Sequence, residues 1–180
     1  MHPDEQVIAQ TKKWITDVVI GCNFCPFASR EVKKDTVRYV VEHGKDVEHC
    51  LQLVLHECIH LDIEKDIVTT LIIFPESFKL FFEYLDFVDL AERLLKRNHY
   101  EGVYQLASFH PDYVFADAKK NDAANYTNRS VYPMIHLLRE TSIDAALENF
   151  PNAEEIPDRN IRFAREKGEA YMKMLRDACL

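Results

Sequence analysis

Glycine is scarce in this chain, with four residues in 180, and there is no excess of positive charge. Few glycines beside eleven phenylalanines and eight tyrosines exclude a linker-rich, collagen-like or disordered chain, since so much apolar surface offsets the entropy of ordering. Thirty acidic residues against 22 basic ones give a net charge of −8. Binding to nucleic acid or to an anionic membrane surface needs a cationic footprint, so neither partner is expected. Apolar runs of the roughly 20 residues that span a bilayer are also missing. The five cysteines are odd in number and too scattered for the framework of a small secreted domain. Met1-His-Pro-Asp-Glu-Gln6 is acidic where a signal peptide is basic. The expectation is a cytoplasmic chain with reduced thiols, forming one globular domain over residues 1–180.

Periodicity predicts a helix from about Pro3 to Ile20, stopped by Gly21, and a strand over Thr36–Glu42. A helix over Asp46–Glu64, a strand over Ile67–Phe74 and a helix from a Ser77 cap to Asn98 follow. Gly102 opens a third strand, Val103–Phe109. A polar stretch from His110 to Val131 comes next, then a helix from Tyr132-Pro133 to about Asn149. A Pro151–Pro157 link leads into a terminal helix. Three or more strands alternating with helices indicate an α/β (or α+β) fold, parallel or split βαβ, with the terminal helices on the sheet.

His56-Glu57-Cys58-Ile59-His60 matches the zinc-protease signature, in which two histidines one turn apart hold the metal and the glutamate activates water. On a helical wheel, however, His49, His56 and His60 lie opposite Val47, Leu51, Val54, Cys58 and Leu61, on what reads as the solvent face. A zinc-dependent hydrolase on His56 and His60 is therefore an alternative, and no cofactor is expected under the main reading. Cys22-Asn23-Phe24-Cys25 has dithiol spacing, but a helix rather than a strand precedes it and a zinc site would need a second pair. Cys25 stands before Pro26, near the expected start of a helix, where a thiolate is stabilised; flanked by Phe24 and Phe27, it reads equally well as a buried structural thiol.

His110 falls at the C-terminal end of a strand, where α/β sheets place ligands, and is a candidate acid or base; alternatively it holds the turn at Pro111 through a loop carbonyl. Asn125, Asn128, Arg129 and Tyr132 precede a predicted helix on which His136, Arg139 and Glu140 share a face. Together they suit capture of a carboxylate or phosphate at a helix N-terminus, or else form a cap that satisfies loop backbone.

Three segments, Val18–Ala28, Gly102–Tyr113 and Asn125–Glu140, resemble the bacterial domain-of-unknown-function family 1415, over about Trp14 to Arg162. Cys25, Pro26, His110, Asn125, Asn128, Arg129, Tyr132, Pro133, His136, Arg139 and Glu140 fall on its motif positions. Cys22 departs from an aliphatic position, which weakens the dithiol reading, and Val131 stands where proline is typical. The resemblance brings no established activity. The expectation is an enzyme or binding protein for a small anionic molecule, with Cys25, His110 and His136 catalytic and Asn125, Asn128, Arg129, Tyr132, Arg139 and Glu140 binding. A non-catalytic scaffold is a further alternative.

Overall fold

The β-branched runs Val37–Val41 (β1) and Thr69–Ile73 (β2) pair in parallel, Val37 opposite Thr69 and Val41 opposite Ile73. They lie in a sheet of order β1-β2-β4-β3, with Tyr104–Phe109 as β3 and Met134–Arg139 as β4. β4 is antiparallel to both neighbours. The structure, a computed structural model, describes residues 2–148, 150 and 152–180. The end of the predicted helix at Asn149 and the start of the 151–157 link therefore fall outside the described residues.

The helices in chain order are α1 (Asp4–Trp14), α2 (Ala28–Lys34), α3 (Val47–Ile63), α4 (Phe81–Arg97), α5 (Glu140–Leu147), α6 (Ile156–Lys167) and α7 (Glu169–Asp177). One face of the sheet presents Ile72, Ile135 and Leu137 to Val54, Cys58 and Leu61 of α3 and to Tyr84, Phe87 and Ala91 of α4. The other presents Leu71, Ile73 and Met134 to Val7, Trp14 and Val18 near the N-terminus, and to Ala164 of α6 and Met172 of α7. Alternating strand residues thus feed two cores, one on each side.

Four sequence expectations change. The helix predicted from Tyr132 is β4 followed by α5, so His136, Arg139 and Glu140 do not share a helix face: His136 and Arg139 lie on β4 and Glu140 opens α5. Its apolar run fits a strand buried on both faces, which periodicity cannot tell from a buried helix. The N-terminal helix turns from α into a π-helix at Ile15–Ile20. Gly21 follows it at a position that needs glycine, since a Cβ there would lie 2.2 Å from the Asp17 carbonyl oxygen. The terminal helix is two, divided at Gly168, whose φ of +83° suits glycine. Ser77 donates to the Gly44 carbonyl instead of capping α4, which begins at Phe81.

Candidate functional site

The wheel for α3 needs one change: Glu57 faces inward with Cys50, Val54, Cys58 and Leu61, while Val47 is exposed. Arg38, on the β1 face toward α3, grips the Glu57 carboxylate with Nε to Oε2 at 2.8 Å and Nη2 to Oε1 at 3.3 Å. Glu57 is 1% exposed and Arg38 36%. His56 lies out in solvent with Nδ1 3.8 Å from Glu57 Oε1, and His60 is half-buried. Among the described residues no group of three or more His, Cys, Asp and Glu is placed to hold a metal ion.

The polar segment after β3 folds on itself. His110 is buried against Phe81 and Tyr84. Its Nε2 donates to the Phe78 carbonyl and its Nδ1 accepts from the Asp112 N–H, both at 2.9 Å. That contact restrains Phe78, whose φ of +54° is costly for a bulky residue. Burial pulls the His110 pKa below its ordinary value, partly opposed by the Phe78 carbonyl and Asp112.

Asn125, wholly buried, accepts from the Phe115 N–H and donates to the carbonyls of Lys119 and Lys120. Asn128 donates to the Ser108 carbonyl. Arg129 donates to the carbonyls of Tyr113 (3.0 Å) and Lys120 (2.7 Å) and stacks over Tyr126. Tyr132 reaches Gln10. Arg139 donates to the carbonyls of Leu61, Glu64 and Ile67 and to the Tyr104 hydroxyl, so it caps the α3 C-terminus. Glu140 bonds the Val103 carbonyl through its N–H. Apart from Tyr132, these residues hold backbone, the second of the two readings their sequence allows. Arg129 also lines an open depression of about 400 Å³ with Lys120, Lys173 and Arg176. There Lys173 already pairs with Asp177, and Arg176 with Asp177 and the carbonyls of Pro111 and Ser130.

Cys25 and His136 come together elsewhere, in a cavity of about 310 Å³ on the sheet face toward the N-terminal helices. Its floor is Val37, Thr69, Leu71, Ala107, Phe109, His136 and Leu138. Register explains this set: Leu71, His136 and Ala107 are direct neighbours across β2, β4 and β3, with the same side to the cavity. Ala107 leaves open the space a larger residue would fill. Trp14, Ile15 and Val19 of the α-to-π junction make one wall. Cys25, with Phe27, Ala28, Glu31 and Val32 of the α2 segment, makes another, and Ser142, Ile143 and Ala146 of α5 a third. A π-helix widens the backbone locally and is frequent at functional sites.

The Cys25 turn is held from behind. Asn160 of α6 donates to the Phe24 carbonyl at 2.7 Å, and Arg159 to that of Asn23, whose φ is +55°. The Cys25 carbonyl accepts from the Ala28 N–H, and α2 begins at Ala28, three residues later than the thiol, so Cys25 is not its N-cap. Cys22, Cys50, Cys58 and Cys179 are buried, whereas Cys25 is half-exposed at the cavity. His110 is not among the lining residues.

His136 is anchored by Thr69, whose Oγ1 lies 2.5 Å from both His136 Nε2 and the Leu137 carbonyl oxygen. Burial pulls the His136 pKa from 6.5 down to about 4. An unfolded chain takes up this proton below pH 6.5 while the folded chain does not, so stability falls as pH drops from 6.5 toward 4. The span corresponds to about 3 kcal/mol for His136, with His110 adding loss in the same direction. Urea unfolding at neutral pH and near pH 4 measures it, and His136→Leu should flatten the dependence. An equally steep dependence in the variant would show that His136 is not held neutral.

Thr69, Ala107, Glu31 and the Ile15–Ile20 wall had no local sequence signal. The register of β4 between β2 and β3 reveals Thr69 and Ala107, and the packing of the π-helix and α2 over the sheet reveals the other two.

No curated protein and no solved structure matches the chain. No helix among the described residues is long and apolar enough to cross a membrane. A family model described as a protein of unknown function (DUF1415) matches residues 6–174, nearly the whole length. The chain therefore belongs to the DUF1415 family.

Proposed function

We propose that the chain binds a small, mainly apolar molecule in the cavity between the sheet and the Cys25 turn, with Cys25 and His136 as its principal polar groups. The observation that carries this reading is the cavity itself: about 310 Å³, walled by Trp14, Ile15, Val19, Phe27 and Ile143, with the thiol and the imidazole in the same lining. Small-molecule sites have this character, an apolar enclosure with a few placed polar atoms.

The anionic ligand expected from Arg129, Asn125 and Asn128 finds less support, because their donors are directed at backbone carbonyls. Enzymatic use of the site would rest on Cys25 as nucleophile and His136, in place of His110, as acceptor of the thiol proton, which requires the two to come within hydrogen-bond reach. N-phenyl-naphthylamine, a neutral probe that brightens in apolar surroundings, tests the binding reading by titration. Saturable binding of one probe per chain is expected. A linear, unsaturable response would contradict it.

A further inference from the structure

The Thr69–His136 contact fixes which hydrogen bond the cavity offers. A threonine hydroxyl has one proton. The Leu137 carbonyl oxygen, 2.5 Å from Oγ1, can only accept, so the proton goes to it. Without a proton between them, two oxygen lone pairs would face each other at that distance. Oγ1 must then accept from the other neighbour, His136 Nε2, also at 2.5 Å. His136 is therefore the Nε2–H tautomer, and Nδ1 carries a lone pair. No group among the described residues donates to Nδ1, and the residue lines the cavity.

The two charged groups in the lining, Glu31 and Arg139, already hold partners. Glu31 is a carboxylate, holding Thr36 through Oε2 and Arg30 through Oε1. Arg139 directs its donors at the α3 carbonyls and Tyr104. A molecule entering here meets the imidazole lone pair, the Glu31 carboxylate, the Arg139 guanidinium held on its carbonyls, the Ser142 hydroxyl, the Cys25 thiol and hydrocarbon. A neutral molecule with an O–H or N–H meets an acceptor.

We infer that the cavity selects neutral apolar molecules bearing a hydrogen-bond donor, phenols and alcohols being the class, which the bare His136 Nδ1 accepts from. This rests on the cavity being the ligand site, as proposed above. Burial supports it by keeping the imidazole neutral at physiological pH.

The test compares para-cresol, toluene and para-toluate, three molecules of one shape, as competitors of N-phenyl-naphthylamine at neutral pH. With the native chain, para-cresol should bind about tenfold more tightly than toluene, the worth of one neutral hydrogen bond. Para-toluate, which has no proton to donate, should bind more weakly than para-cresol. In His136→Leu the preference for para-cresol should vanish while toluene still binds. Imidazole nitrogen NMR on the native protein should show Nε2 protonated and Nδ1 bare, a readout that needs no variant to fold. A protonated Nδ1, para-toluate binding as tightly as para-cresol, or a preference that survives His136→Leu would each overturn the inference. Toluene and para-cresol competing equally in the native chain would overturn it while leaving the cavity as the site. Failure of all three to displace a bound probe would remove both.

Discussion

Ala107→Phe is expected to weaken N-phenyl-naphthylamine binding about 60-fold while the chain stays folded. Ala107 sits directly opposite His136 on the neighbouring strand, and both line the cavity floor. A phenyl ring there grows into existing empty space, so it fills a void instead of overpacking a filled core. A ligand deprived of roughly 100 Å² of apolar contact forfeits about 2.5 kcal/mol at 25 cal/mol per Å², a factor of about 60. Phenylalanine also suits a strand. Circular dichroism and an unfolding midpoint at or above the native one would verify the fold. Unchanged probe affinity in a folded Ala107→Phe protein would place the ligand somewhere else.

The second large effect lies on the opposite face of the sheet. Arg38→Met should destabilise the chain by about 3–5 kcal/mol in urea unfolding, because it strands the Glu57 carboxylate, 1% exposed, without its bidentate partner. The exposed His56, 3.8 Å away, is too far to replace those hydrogen bonds. Arg38→Met combined with Glu57→Leu should recover most of the loss, since removing both charges also removes the desolvation cost. Glu57 then acts as an anchor of α3 on β1. A zinc hydrolase would need it as a base beside a metal, and a loss of less than about 1 kcal/mol in Arg38→Met would reopen that role.

The same pair shows what a sequence can and cannot convey. The periodicity of α3 is correct at Val54, Cys58 and Leu61, and Asp46 caps it by accepting the His49 N–H. Yet a wheel drawn from apolar residues alone sends Glu57 outward, because its burial depends on Arg38, nineteen positions earlier on another element. β1, β2 and β3 were legible from their β-branched and aromatic content to within a few residues. β4 was not: Met134–Leu138 is apolar at every position but His136, and only the open edges of β2 and β3 make it a strand.

The site divides in the same way. Cys25 was visible as a reactive residue type at a turn, and His136 as one on a predicted helix. That they share a cavity follows from Leu71 and Ala107 flanking His136 across three strands, a relation no local pattern carries. Asn125, Asn128 and Arg129 look like ligand donors in one dimension. In three they close the backbone of a long loop, as buried carbonyls require. The net charge of −8 left the apolar cavity unannounced.

Alkylation of Cys25 tests the central claim most directly. Four of the five thiols are buried, so iodoacetamide should modify Cys25 first, as peptide mass mapping would show. Saturating N-phenyl-naphthylamine should slow that reaction at least tenfold, because the probe would occupy the space the Cys25 side chain faces. Modification of Cys25 at the same rate with the probe bound would contradict the cavity as the ligand site.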